Sequence, residues 1–189
     1  MKKSHVLRIT GGILVFVCFV LAIYFLIPKN TVEIEFNELG CSLLFECTPS
    51  EFFDKEFDFY KETGDFRKKA YIDKNGYLHI ILTQKQAKAW RETEWLSSFD
   101  KIRDMPHFEL SSDYTSLTVY LSPELIEELA QNYQKMDYYQ NMIGLIEMKT
   151  GIIKKIDGIP YEEIHLELIE KDSETGEILY STVIRPGLD

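Results

Sequence analysis

Apolar and polar residues alternate in several short segments of this chain, a pattern typical of strands with one buried face. In the first such segment, Val32, Ile34 and Phe36 alternate with Glu33 and Glu35. The alternation predicts a first strand whose apolar side chains face a core.

The dipeptide Asn75-Gly76 predicts a β-hairpin. It separates the segments Arg67–Asp73 and Tyr77–Thr83, and a tight turn between strands needs the positive φ that Asn and Gly adopt readily. The second segment has a strongly apolar face, made of Leu78, Ile80 and Leu82.

A helix is expected to follow this strand directly. Thr83 suits the N-cap position, and Gln86 occupies the third helical position of a capping box. Apolar residues then recur at roughly helical spacing, at Ala87, Trp90, Phe99 and Ile102. The helix is predicted to end before Pro106.

The same order recurs 39 residues downstream. Leu117, Val119 and Leu121 alternate, Ser122 suits an N-cap, and Pro123 suits the first helical position. A helical stripe follows at Leu125, Leu129, Tyr133 and Met136. The offset favours a tandem strand-strand-helix duplication, with both copies packed into one sheet.

Another hairpin is predicted near the end of the chain. Its strands are Ile164–Glu170 and Ile178–Ile184, and its turn is Asp172–Glu177. The segment Ile152–Tyr161 contains Gly158 and Pro160 and is predicted to be a connection.

Residues 37–65 allow two interpretations. Thr48-Pro49-Ser50-Glu51 has the form of a helix start, whereas Phe57 and Phe59 flank Asp58 as in a strand. The aromatic side chains of this region belong either to the core or to an adhesive acidic surface. The fold class is α+β, an antiparallel sheet with two main helices on one face.

A transmembrane helix is predicted at Ile9–Ile27. These 19 positions carry no charge and would span about 28 Å as a helix. The apolar run is too long for a signal-peptide core and ends without a small-x-small cleavage site, so it is expected to stay attached.

Basic residues predict the orientation of this span. Lys2, Lys3 and Arg8 precede it, and Lys29 follows it closely, which favours a cytoplasmic N-terminus. The predicted organisation is a cytoplasmic leader at residues 1–8, the span at residues 9–27, and one extracytoplasmic domain at residues 28–189. The lipid bilayer is therefore an expected partner of residues 9–27.

The domain beyond Pro28 is strongly acidic. It holds 18 basic and 31 acidic residues, a net charge of −13. Such a domain is repelled by phosphate backbones, which need Lys and Arg to displace their counterions. Nucleic acid is therefore excluded as an expected partner.

Cys41 and Cys47 are the two cysteines outside the predicted span. An oxidising compartment would allow a disulfide between them, and two reduced thiols packed in the core are the alternative. No Cys-x-x-Cys occurs, which disfavours both redox catalysis and a thiolate metal site.

Other chemical motifs are weak. His165-Leu-Glu167 has the spacing of a metal motif, but strand alternation puts both polar residues on a solvated face. His79 and His107 have no sequence-adjacent partner for a nucleophile or a metal. The sequence predicts no metal, cofactor or catalytic residue.

Function is therefore expected to rest on a surface. The leading hypothesis is a membrane-anchored extracytoplasmic interaction or assembly module with a protein partner. One alternative is a tethered envelope hydrolase using dispersed carboxylates, for example Glu109 with Asp113. Another is an inhibitor or immunity factor for a basic partner, suggested by the acidic charge.

Overall fold

A computed structural model describes residues 31–99 and 106–185 of the chain. Within these residues, no helix is long and apolar enough to cross a membrane. The span predicted at residues 9–27 lies outside the described residues.

Strands form two sheets, in an α+β architecture. The first sheet has the order β1-β3-β2, from Thr31–Phe36 (β1), Tyr71–Ile72 (β2) and Leu78–Thr83 (β3). The second has the order β4-β5-β6-β7, from Phe108–Leu110 (β4), Ser116–Leu121 (β5), Leu166–Asp172 (β6) and Ile178–Ile184 (β7).

The prediction of one antiparallel sheet is wrong. The two apolar triplets lie in different sheets, and β5 pairs with β6 in parallel. A long helical crossover separates β5 from β6 in the sequence, which is the connection that parallel strands require.

Helices connect and cover the strands. The α-helices in the described residues are Glu38–Phe45 (α1), Tyr60–Thr63 (α2), Gln84–Glu92 (α3), Glu94–Ser97 (α4), Pro123–Gln131 (α5) and Tyr133–Ile156 (α6). Short 3₁₀ helices lie at Glu51–Phe53, Arg67–Lys69 and Tyr161–Glu163.

Both predicted helix starts are confirmed, and both predicted helices are shorter than expected. The capping box of Thr83 and Gln86 opens α3, and Ser122 caps α5. The first helix ends at Glu92 because the Thr93 side chain caps a new helix, α4. The second ends at Gln131 because Asn132 caps α6.

Helix α6 was not anticipated, and it joins two hydrophobic clusters. Tyr139, Ile143 and Ile146 pack with the second sheet, whereas Ile152 and Ile153 pack with the first sheet. The prediction of a connection from Ile152 onward is therefore wrong, because the helix continues to Ile156. The expectation of two main helices on one face of a sheet is also wrong, since α6 is longer than any other helix in residues 31–99 and 106–185 and packs with both sheets.

The order strand-strand-helix occurs twice, as predicted. Strands β2 and β3 pair antiparallel before α3, and β4 and β5 pair antiparallel before α5. All six triplet side chains are buried: Leu78, Ile80, Leu82, Leu117, Val119 and Leu121. A duplication as the origin of this order stays a prediction.

The aromatic region between α1 and β2 lies mostly in the core. Phe52, Phe59, Tyr60 and Phe66 are buried in the first cluster. Thr48 and Glu51 exchange hydrogen bonds at the start of a 3₁₀ helix, which confirms the helix-start interpretation. Neither Phe57 nor Phe59 belongs to a strand.

Candidate functional site

Four strands form the sheet edges within the described residues, and they differ in length and charge. β2 has two residues and β4 has three, one of them Glu109. β1 has six residues, including Glu33 and Glu35. β7 has seven residues and no charge, Ile-Leu-Tyr-Ser-Thr-Val-Ile. Proteins commonly protect sheet edges with short strands, charged side chains or β-bulges, and of these β7 has only a bulge near its start.

Large apolar side chains of β7 are exposed. The exposed fraction is 58% for Ile178, 45% for Leu179, 51% for Tyr180 and 60% for Val183. These residues lie on both faces of the strand, because successive side chains alternate between faces. An apolar surface of this kind on a soluble domain marks an interaction site more often than an isolated exposed residue does.

The helical layer leaves β7 largely uncovered. Leu166 and Leu168 of β6 are buried beneath the helices, and the Tyr139 hydroxyl donates a hydrogen bond of 2.7 Å to Glu170 Oε1 on the same strand. Ile184 packs partly against the second cluster. Farther along β7, Tyr180 is half exposed on the same face.

A well-defined turn holds β7 beside β6. Asp172 Oδ1 accepts hydrogen bonds from the backbone N–H groups of Glu174 and Thr175, at 2.8 and 2.7 Å. These bonds hold the pKa of the Asp172 carboxyl below its usual value. Gly176 adopts a φ of +72°, which a residue with a Cβ rarely does. The predicted hairpin is confirmed, with a β-bulge that leaves Leu179 of β7 without a partner on β6.

A polar network crosses the outer face of the first sheet. His79 Nδ1 lies 3.0 Å from Glu33 Oε1, and the Tyr71 hydroxyl donates to the same oxygen at 2.9 Å. The rings of Tyr71 and His79 stack with centroids 4.6 Å apart. His79 Nε2 is buried and lies 3.8 Å from carboxylate oxygens of Glu35 and Asp73. The network therefore links β1, β3 and the β2–β3 hairpin.

A groove of about 670 Å³ runs beside β1. Its apolar wall includes Ile34, Phe36 and Ile152, and its polar lining includes Glu35 and Lys155. The volume lies within the range of small-molecule sites.

The other residues considered for chemistry do not form a single site. Glu109 accepts a hydrogen bond from the Tyr120 hydroxyl at 3.0 Å, whereas Asp113 accepts one from the Thr115 hydroxyl at 2.7 Å. The two carboxylates therefore have separate partners. His165 Nδ1 lies 2.8 Å from the carbonyl oxygen of Glu163.

Cys41 and Cys47 are both buried free thiols in the structure. Burial, followed by the nearby Cys47, raises the pKa of the Cys41 thiol to about 12. Burial also raises the pKa of the Cys47 thiol. The disulfide between them stays a prediction. No cluster of three or more His, Cys, Asp or Glu side chains suited to a metal ion occurs in the described part of the chain.

Comparisons with known proteins found no matching family model, no similar curated protein and no similar solved structure.

Proposed function

We propose that the chain is a membrane-anchored extracytoplasmic interaction module, and that its partner adds a strand along the open edge of β7. The observation that carries the proposal is the combination of length, neutrality and exposure in Ile178–Ile184. The partner segment is extended and mainly uncharged, because it lies against apolar side chains on both faces of β7.

Strand addition satisfies two requirements of this edge at once. Backbone N–H and C=O groups of the incoming segment pair with those on the free side of β7, which provides affinity. Side chains of the segment cover Leu179 and Val183 on one face and Tyr180 on the other, which removes apolar surface from water.

The anchor is part of the proposal. The uncharged segment Ile9–Ile27 crosses the membrane once, and Lys2, Lys3 and Arg8 keep the N-terminus in the cytoplasm. Protease added to intact protoplasts or spheroplasts will then digest residues 31–185. Protection of this region until the membrane is lysed would contradict the orientation.

Site-specific photo-cross-linking in the membrane tests the docking surface. A benzoyl-phenylalanine is introduced at Leu179 or Val183 of the full chain, and at the exposed turn residue Asn75 as the matched control. We expect a discrete protein adduct at both β7 positions and none at the control. Adding Val183→Lys to the Leu179 probe is expected to abolish its adduct, because a charge blocks strand addition at an edge.

Two outcomes of the photo-cross-linking would contradict the proposal. Equal labelling at Asn75 and at the two β7 positions would mean nonspecific collision. Absence of adducts at β7, in a chain shown to be folded and present in the membrane, would remove this edge as the docking surface.

A tethered hydrolase is a second candidate, and the groove beside β1 is the observation in its favour. Glu33 and Glu35 lie two residues apart on β1, so both side chains are on the same face of the strand. The test is to incubate the full chain with cell-wall glycan fragments and to detect products by mass spectrometry. The hydrolase predicts cleavage that Glu35→Gln abolishes, and an absence of cleavage contradicts it for this substrate class.

A further inference from the structure

We infer that the strand added to β7 is β7 of a second copy of this chain, paired antiparallel with Ser181 opposite Ser181 of the other copy. The inference rests on the proposed docking surface and identifies its occupant. Two four-stranded sheets would join into one eight-stranded sheet.

Symmetry restricts how two such strands can meet. Two copies paired through the same antiparallel edge are related by a two-fold axis perpendicular to the sheet. Directly opposite residues face the same side, so one residue of the strand always lies opposite itself. The β-bulge interrupts β7 at its start, so regular pairing extends over Leu179–Val183, and the residue at the centre of this stretch is Ser181.

The sequence of β7 is complementary to itself in this register. Leu179 lies opposite Val183, and Tyr180 lies opposite Thr182, whereas the bulge turns Ile178 to the opposite face from Ile184. Each of these pairs joins β-branched, aliphatic or aromatic side chains, the types that stabilise antiparallel neighbours. The small Ser181 meets its own copy at the axis, where no large side chain has to be accommodated.

The distribution of charge also favours β7 over the other edge strands as the contact between two copies. The domain beyond Pro28 carries a net charge of −13, so two copies repel each other over most of their surfaces. Pairing of two β1 strands would bring two copies of Glu33 and Glu35 together, and pairing of two β4 strands would do the same for Glu109. Pairing through β7 puts no two charged side chains opposite each other.

The two-fold axis keeps the faces of the joined sheet distinct. Tyr180 shares its face of β7 with Thr182 and Ile184, which lie opposite the buried Leu168 and Leu166 of β6. The helices of both copies would therefore lie on the same side of the joined sheet. Leu179 and Val183 of both copies would form one apolar cluster on the other side.

Cysteine cross-linking of the full chain in membranes tests this register. In a Cys18→Ser background, Ser181→Cys is expected to form a disulfide-linked dimer under mild oxidation. Leu179→Cys is the matched control, because its two copies are separated by roughly 13 Å along the strands. We expect at least about tenfold less dimer for Leu179→Cys than for Ser181→Cys, and restored cross-linking when Leu179→Cys and Val183→Cys are combined in one chain.

Two further variants test whether the native cysteines form the dimer and whether the cross-link depends on the β7 edge. The Cys18→Ser parent, with its buried Cys41 and Cys47, is expected to form no dimer. Adding Val183→Lys to Ser181→Cys is expected to reduce the dimer at least about tenfold, because two added charges would lie in the cluster at the joined edge.

The outcomes separate this inference from the proposed function. A dimer that forms best through Leu179→Cys, or no dimer from any β7 cysteine, overturns the inferred pairing. If a different protein is then found in the photo-adducts of Leu179 and Val183, β7 still serves as a docking edge, whereas the absence of every adduct overturns both proposals.

Discussion

Glu33 and His79 lie on neighbouring strands of the first sheet, with Glu33 Oε1 3.0 Å from His79 Nδ1. The Tyr71 hydroxyl donates a hydrogen bond to the same carboxylate oxygen. The Tyr71 ring covers the imidazole, and only 12% of the His79 side chain is exposed. The pair therefore helps to hold the three strands together.

Replacement of His79 tests this structural role. His79→Ala removes the hydrogen bond to Glu33 and the stacking on Tyr71, and we expect it to lower the free energy of unfolding by about 1 to 2 kcal/mol. The measurement is urea denaturation followed by circular dichroism. His107→Ala is the control, because the His107 side chain is 71% exposed and its loss should change stability by less than about 0.5 kcal/mol. Equal effects of the two changes would contradict the role given to His79.

Coupling between the two hydrophobic clusters through α6 gives a second prediction. Leu121→Ala creates a cavity in the second cluster and is expected to cost about 2 to 5 kcal/mol. Both tryptophans of the chain, Trp90 and Trp95, pack in the first cluster. The midpoint of the tryptophan fluorescence transition in urea should nevertheless fall, together with the midpoint from circular dichroism.

Thr118→Ala is the matched control for this experiment, since Thr118 alternates with the buried Leu117 and Val119 on the other face of β5. It should leave both midpoints nearly unchanged. A fluorescence transition that does not respond to Leu121→Ala would show that the two clusters unfold independently.

The buried thiol of Cys41 gives a prediction about pH. In the reduced protein its pKa of about 12 lies above the ordinary value of 9.0. The folded state therefore keeps a proton that the unfolded state releases, and the resulting stability is present below pH 9 and lost as the pH rises toward 12. The slope from this one group is at most about 1.4 kcal/mol per pH unit.

Comparison of the parent with Cys41→Ala in urea at successive pH values checks this effect. The difference between their unfolding free energies should shrink from pH 9 to pH 12. Alkylation with iodoacetamide at pH 8 gives an independent readout. The thiolate of Cys41 is the reactive form, and its fraction is about a thousandfold smaller in the folded protein than in the unfolded chain. Rapid alkylation of Cys41 under native conditions would contradict the burial of this thiol.

Local signals in the sequence predicted most strands and both helix caps. Alternation marks β1, β3 and β5 because each has one buried face, and the Asn75-Gly76 turn has a specific backbone requirement that few residues meet. These features depend on neighbours in the sequence. The boundaries at Thr93 and Asn132 were missed because apolar spacing continues past residues that cap a new helix.

Features that depend on contacts between distant residues could not be predicted from local patterns in the sequence. The helix α6 is buried by different clusters along its length, so it shows no single apolar stripe at one spacing. The partners of His79 come from β1 and from the β2–β3 hairpin. They are not adjacent to His79 in the sequence, so motifs of neighbouring residues do not predict these contacts.

The strand proposed as the docking edge has a visible signal in the sequence. Ile178–Ile184 was predicted as a strand, and it has no charge and no strict alternation. Such a strand is either buried on both faces or exposed and available for pairing. The structure places this strand at the edge of the second sheet, so it is the exposed kind. That position follows from the parallel pairing of β5 with β6, which joins segments far apart in the sequence.

Amide hydrogen exchange of the full chain in lipid vesicles tests strand addition along β7 most directly, because it reports on the backbone groups of the edge. The parent is compared with Val183→Lys, whose side chain reaches solvent at an already exposed position. We predict that the β7 amides whose N–H groups point away from β6 exchange at least about tenfold more slowly in the parent, while those of β6 exchange equally in both. Equal exchange of the β7 amides in the two proteins would contradict the account.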